Sequence, residues 1–300
     1  MDILCVGEVL FDVLGDGRES PGGAPANVAF HAASLGATCT LVSCVGKDGR
    51  GLQLRRWLDC AGIGIQNLQE DAGHPTGVVR VESSADGPRY DIAAPTAWDF
   101  IRATDDALDA ARSSRVVVFG TLAQRHPRSR EAIRRLVQEA KAAGATVVCD
   151  LNLRAPFFDE DVIYWSLRHC DMLKLNRDEL ETVSALAGAR GETLDLFRGL
   201  LREFGVRRGV LTCGADGAWF DEGAGAWHVA AMPAQVADTV GAGDAFCAMV
   251  AASLAAGRPL PGAAPWCARV SAAVVARPGA TPHLPPELAA GAQHFLRNDF

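Results

Sequence analysis

No stretch of this chain is apolar over the ~18 residues that a helical bilayer crossing requires, so no membrane span is expected. No block of basic residues occurs either. Lys and Arg total 29 against 36 Asp and Glu, for a net charge of -7. That balance argues against nucleic acid as the main partner and fits a protein that handles small metabolites. C-x-x-C pairs are absent, and no His–Cys group has zinc spacing, which removes zinc ribbons and dithiol redox centres from consideration. The nine cysteines are odd in number and scattered from Cys5 to Cys267, most of them, such as Cys149 and Cys213, inside apolar runs. They read as small buried hydrophobes of a reducing cytoplasm rather than as catalytic thiols. Internal repeats, coiled-coil heptads and low-complexity linkers are also missing. The opening Asp2-Ile3-Leu4-Cys5-Val6-Gly7 carries no basic residue before its apolar run. A buried strand is expected there rather than a secretory signal, and the location expected is cytoplasmic.

What the chain does have is apolar content, 49% over 300 residues. That is enough for one large α/β domain or one with a small appendage. The pattern predicts strands at Ile3–Val6, Thr40–Val45, Val116–Phe119, Thr146–Cys149, Met172–Leu175 and Gly209–Thr212. Between them it predicts helices at Ala24–Leu35, Gly51–Ala61, Pro127–Ala143, Asp178–Leu186 and a further one ending at Phe204, then Gly243–Ala256 and about Pro265–Ala276. Gly36 and Gly144 stand where helix C-caps belong, and Pro127 opens its helix. Fully apolar strands alternating with amphipathic helices predict a mostly parallel sheet covered on both faces, a three-layer α/β/α sandwich. Thr76–Ile92 differs, since Val79, Val81, Tyr90 and Ile92 alternate with polar residues around Ala85-Asp86-Gly87-Pro88. That is a hairpin with one exposed face. Ala218–Val229 reads as a second β-excursion.

Parallel sheets bind ligands at the C-terminal ends of their strands. Polar sets fall at those ends: Asp12, Asp150-Leu151-Asn152-Leu153-Arg154, Asn176, Thr212 with Gly214, and Asp244 after the β-excursion. The most informative is Asp238-Thr239-Val240-Gly241-Ala242-Gly243-Asp244, which runs into the apolar Ala245-Phe246-Cys247. Unpaired N–H groups and the helix dipole make such a helix start an anion site. A carboxylate beside it repels phosphate, yet suits a base that takes a hydroxyl proton while the turn holds the incoming phosphoryl group. A Gly-rich loop capped by Asp satisfies the same spacing.

Two motifs far apart in sequence resemble the ribokinase-like, or phosphofructokinase B type, carbohydrate kinases. One is Pro21-Gly22-Gly23-Ala24-Pro25-Ala26-Asn27-Val28-Ala29, followed by Leu35-Gly36-Ala37 and Gly46-Lys47-Asp48-Gly49-Arg50-Gly51; the other is the Asp238–Phe246 run. The likeness covers essentially the whole chain. Gly7-Glu8-Val9-Leu10-Phe11-Asp12, Gly23-Ala24-Pro25-Ala26-Asn27 and Ala97-Trp98-Asp99 look most like bacterial fructokinases. Ribokinases usually carry Lys, and ketodeoxygluconate kinases an acidic residue, at the position of Ala24. The resemblance implies a single ribokinase-like domain over 1–300, with a β-lid formed mainly by 76–100 and part of 12–22. It implies homodimers that pack lid on lid.

For activity, the resemblance implies ATP-dependent phosphorylation of a sugar, with fructose at its 6-hydroxyl the leading substrate. Ribose, ketodeoxygluconate, a nucleoside and a sugar-binding regulator without turnover are the alternatives. Asp244 is then the general base, with Gly241, Ala242 and Gly243 presenting amides to the phosphoryl oxygens. Asp12, Gly22, Gly23 and Asn27 hold the sugar, although Asn27 stands where a helix cap is also needed. Asn176 and Glu179 sit near the phosphates, and Glu179 helps hold Mg²⁺ through water; a capping box explains the same pair. Thr212, Gly214 and Gly217 resemble the nucleotide loop, and a plain β-turn has the same signature. Arg154 pairs with phosphate, an acidic sugar or Asp150. Trp98, Tyr90 and Ile92 cover the sugar or fill core. Ala276-Arg277-Pro278-Gly279-Ala280, with Asp238 and Val240, resembles a monovalent-cation (K⁺) site, while His283 departs from the small hydroxyl usual at its position. Ala155-Pro156-Phe157-Phe158 replaces the Leu-Trp pair frequent in fructokinases.

Overall fold

The computed structural model describes residues 2–84 and 87–297. The elements are β1 (Asp2–Val6), β2 (Leu10–Leu14), β3 (Glu19–Gly22), α1 (Ala24–Ser34), β4 (Thr38–Gly46), α2 (Gly49–Cys60), β5 (Leu68–Asp71), β6 (Gly77–Ser84) and β7 (Gly87–Ile92). Then come α3 (Asp105–Ser113), β8 (Val116–Phe119), α4 (Pro127–Ala142), β9 (Thr146–Asp150), α5 (Glu160–His169), β10 (Met172–Asn176), α6 (Arg177–Leu186) and α7 (Thr193–Phe204). The remainder is β11 (Arg208–Thr212), β12 (Ala218–Asp221), β13 (Ala226–Val229), α8 (Ala242–Ala255), α9 (Leu260–Val275) and α10 (Pro286–Arg297).

Nine strands form one sheet in the order β13-β12-β11-β10-β9-β8-β1-β4-β5. It is parallel from β11 to β5, and β12 and β13 add an antiparallel edge. Its central strands are apolar on both faces because both are covered. Along β1, Ile3 and Cys5 enter one core with the buried sides of α1, α8 and α9, while Leu4 and Val6 enter a second core with α3, α4 and α7. Strand β8 divides the same way, Val116 and Val118 against Val117 and Phe119. This is the three-layer sandwich expected from the alternation.

A second, smaller sheet has the order β3-β2-β6-β7. The β6–β7 pairing is the expected hairpin, antiparallel from Val79↔Ile92 to Ser84↔Gly87. Ala85 and Asp86 of its expected turn lie outside the described residues. The sequence pattern placed no strand at β2 or β3. They pair with each other antiparallel, and β2 runs parallel to β6. Asp12 therefore rides on the small sheet, while Asn27 and Asp244 belong to helices on the large one. One helix start is corrected: α9 begins at Leu260 and carries Pro265 inside it. The N–H that Pro265 lacks would have bonded Pro261, only one residue past the helix start, so the disruption stays near the end.

Candidate active site

Helix α1 starts at Gly23, whose φ of 105° and tight approach leave no room for a side chain; a Cβ there would lie 2.6 Å from the Glu8 carbonyl. Gly22 is packed equally closely, since its Cβ would meet Asp12 Oδ2 at 2.5 Å. Asn27 does not cap the helix. Its amide bonds the Gly23 carbonyl, placing it a full turn inside, and its Nδ2 donates to Asp244 Oδ2 at 2.8 Å. The bond joins residues 217 apart in sequence. Asn27 Oδ1 is buried and has no partner among the described residues.

Helix α8 starts at Gly241, in the left-handed region at φ 78°, and Asp244 lies in its first turn rather than at the cap. No backbone acceptor among the described residues takes the amides of Gly243 or Asp244. Unpaired first-turn donors of this kind carry the partial positive charge of the helix. Burial raises the Asp244 carboxyl to about 6, the Asp150 charge adds to the rise, and Asn27, Lys174 and Arg154 oppose it. Burial and the charge of Asp244 likewise raise Asp12 to about 6, against Arg154. Glu8 is 3% exposed and is lifted by burial to about 7, even though its Oε1 accepts the Ala24 amide at 3.3 Å. Burial is thus the first reason each of the three acids resists ionising, and Glu8 and Asp12 both feel the charges of Asp244 and Arg154.

Beneath the turn, Lys174 Nζ donates to both oxygens of Asp150, each at 2.8 Å, and both side chains are buried. A Cβ at Gly243 would lie 3.3 Å from that Nζ, so the cation backs the anion turn. Burial pushes the Lys174 ammonium down, but Asp150, Cys247 and Glu179 outweigh it and hold it above the usual range. Asp150 is therefore paired with Lys174 and not with Arg154, whose Nη1 donates to the Leu153 carbonyl. Glu8 and Lys174 escaped the sequence reading. The available signal was a single charged residue inside an apolar run, Val6-Gly7-Glu8-Val9 and Met172-Leu173-Lys174-Leu175.

On the other side of the sheet edge, Asn176 and Glu179 form the reciprocal capping box of α6. Glu179 Oε2 accepts the Asn176 amide at 2.9 Å and Oε1 accepts the Leu153 amide at 3.0 Å. Burial raises its carboxyl, against the nearby Lys174. Among the described residues no three His, Cys, Asp or Glu side chains converge into a metal cage. Thr212 Oγ1 bonds the Leu175 carbonyl at the end of β11. Gly214 and Gly217 bound a short exposed turn, and Arg177 pairs with Asp216 within it. A Cβ on Gly214 would meet only open space, whereas one on Gly217 would overlap the Val229 carbonyl. Asp238 accepts the Val240 and Gly279 amides at 3.0 Å each, which brings the 276–280 stretch against the turn, and His283 packs on Phe30.

Trp98 does not cover the site. It is fully buried, with the Arg125 guanidinium 3.8 Å above its ring and doubly bonded to Asp99. Ile92 packs in the same core, and the Tyr90 side chain lies outside what the structure describes. The cysteines are all free, and eight are buried while Cys60 is exposed.

A family model described as pfkB family carbohydrate kinase matches residues 3–287. Aminoimidazole riboside kinase of Salmonella typhimurium is 30% identical over 253 residues, covering 80% of this chain and 77% of that protein. A fructokinase of Escherichia coli is 31% identical over 254 residues, 81% of each. Among solved structures, the fructokinase of Xylella fastidiosa with bound ATP matches 98% of both chains with a TM-score of 0.87 at 23% identity. The aminoimidazole riboside kinase of Salmonella enterica, complexed with aminoimidazole riboside and an ATP analogue, matches 99% of this chain and 100% of that one, with a TM-score of 0.82 at 25% identity.

Proposed function

The chain belongs to the pfkB family of carbohydrate kinases, and we propose that it transfers the γ-phosphoryl group of ATP to the 6-hydroxyl of D-fructose, with Asp244 as general base. The observation that carries the reading is the Asn27–Asp244 bond at a helix start where the Gly243 and Asp244 amides have no backbone acceptor among the described residues. It puts a polyol-reading amide, a proton acceptor and an anion nest at one point. Asp244 accepts the hydroxyl proton as the oxygen attacks the γ-phosphorus, the bond to the β,γ-bridging oxygen breaks, and ADP leaves. Gly241, Ala242 and Gly243 line the path of the phosphoryl oxygens, where amide donors stabilise the charge. Asp12, Gly22, Gly23 and Asn27 hold the sugar; Asp12 is free of side-chain hydrogen bonds among the described residues and can accept from hydroxyls. Asn176, Thr212, Gly214 and Gly217 lie along the nucleotide.

Mg²⁺ fits this site as an ion held mainly by phosphate and water. Both Glu179 oxygens already accept backbone amides, which suits contact through water rather than direct ligation. Bound there, the ion supplies neutralisation of phosphate charge. The 276–280 stretch and Asp238 are adjacent, as a monovalent cation such as K⁺ requires. We further propose that the small sheet acts as a lid, that two copies pair through it, and that the protein works in the cytoplasm. No described helix is long and apolar enough to cross a membrane.

Aminoimidazole riboside is the second reading, favoured by the identity to the Salmonella enzyme. A coupled ADP-release assay over fructose, aminoimidazole riboside, ribose, ketodeoxygluconate and adenosine separates these substrates, and fructose is expected to give the highest kcat/KM. ADP release with none of them would favour the turnover-free regulator. Asp244→Asn keeps the shape and removes the base, so kcat should fall by ~10³-fold or more with the sugar KM nearly kept. Near wild-type turnover in that variant would remove Asp244 from its role.

A further inference from the structure

Helix α1 reaches the start of α8 by two routes. Asn27 holds the Asp244 carboxylate directly. One turn on, His31 is completely buried, with Nε2 2.9 Å from the Ala280 carbonyl oxygen. A carbonyl only accepts, so Nε2 carries the proton and Nδ1 is a bare acceptor. That Nδ1 finds no partner among the described residues. Burial holds the ring's pKa down to about 4, so it is neutral at working pH.

Ala280 is the surface on which the anion turn rests. A Cβ on Gly241 would overlap the Ala280 carbonyl oxygen and lie 2.6 Å from its Cα. The carbonyl that His31 grips is thus the one packed against the first residue of the Gly241–Gly243 turn. Asp238 ties the same loop to the turn from the other side, through the Val240 and Gly279 amides. The loop is pinned at two adjacent residues, by a carboxylate at the Gly279 amide and by an imidazole at the Ala280 carbonyl.

We infer that His31 is a positioning residue for phosphoryl transfer: its bond to the Ala280 carbonyl fixes the loop that sets the Gly241–Gly243 amides relative to Asp244. The inference rests on the reading that this turn receives the transferring phosphoryl group. A packing role alone does not need this side chain. Phe30 meets the ring edge-on at 5.4 Å, a contact that an apolar ring also makes. The partnerless Nδ1 is a liability that phenylalanine lacks.

The test compares full-length His31→Phe with His31→Gln, whose amide N–H can still reach the carbonyl. Wild type must first show sugar-dependent ADP release. Its failure with every sugar would overturn the kinase reading, and the exchange measurement below would still decide whether His31 holds the turn. In His31→Phe, kcat should fall about tenfold or more, because small displacements of aligned groups cost rate heavily. The sugar KM should stay within about twofold, and His31→Gln should recover most of kcat. Amide exchange of 238–245 and 276–282 should quicken in the Phe variant and not in the Gln variant. Unaltered exchange and kcat in His31→Phe, or equal losses in both variants that track the folded fraction, would overturn the assignment. If His31→Phe does not fold, His31→Asn, whose amide is too short to reach, takes its place against His31→Gln with the same readouts.

Discussion

Glu8 shows what it costs to bury a carboxyl group, a cost to which the charge of Asp244 adds. Folded, it keeps its proton until about pH 7, against an ordinary value of 4.5. The folded state therefore holds an extra proton between those values, and stability falls as pH rises through that window and remains lower above it. Converted at ~1.4 kcal/mol per pKa unit, the penalty is at most about 3–4 kcal/mol. Glu8→Gln retains an oxygen for the Ala24 amide and has no charge to bury. It is expected to melt higher than wild type at pH 8, with little gain at pH 5, in parallel thermal denaturations. An equal gain at both pH values would mean that packing, not charge, is responsible. The same neighbourhood sets the working range. Asp244 must be ionised to accept a proton, so kcat/KM should drop as pH falls below about 6.

Between elements, the β9–β10 pair carries the Asp150–Lys174 bridge at the edge where the site opens. Lys174→Met leaves a buried carboxylate facing Glu179 and Asp244 without its cation. Breaking a buried pair from one side costs ~3–5 kcal/mol, whereas replacing both partners is far milder. Chemical denaturation should therefore show Lys174→Met strongly destabilised and Asp150→Asn/Lys174→Met partly restored; additive losses would deny the coupling. That bridge also marks where the sequence stopped being legible. Its partners are 24 residues apart on neighbouring strands, and nothing local couples them. Asp244 and its glycines were legible because a helix start writes its chemistry in consecutive residues. Strands β8 and β9 were legible because burial on both faces demands unbroken apolar runs. Strand β3, Glu19-Ser20-Pro21-Gly22, has no apolar alternation; Pro21 is tolerated because the strand lies at the edge of its sheet. The start of α9 was hidden because Pro265 reads as a helix opener, whereas Pro259 is the cap and Pro261 already sits in the first turn, where proline is at ease. Asn27 is a residue type that caps helices, yet the helix predicted from Ala24 already puts it a turn inside, and Gly23 is the cap.

Across the whole molecule, the residues proposed to grip the sugar are split between two sheets. Asp12 stands on β2 of the small one, and Asn27 and Asp244 stand on helices packed against the large one. A sugar held by all three becomes a tie between two bodies that otherwise meet through chain connections and the contacts at their junction. Bridging ligands suppress local opening in the elements they join. Fructose should therefore slow amide exchange in 10–14 and in the neighbouring strand 77–84. ATP alone should slow it mainly around 212–217 and 241–245. Asp12→Ala removes the small sheet's share of the grip while leaving the nucleotide side intact. It should abolish protection of 10–14 by fructose and preserve protection of 212–217 by ATP. Protection confined to the large sheet in the wild-type protein would mean that Asp12 does not touch the sugar, and that the small sheet only shields a site completed without it.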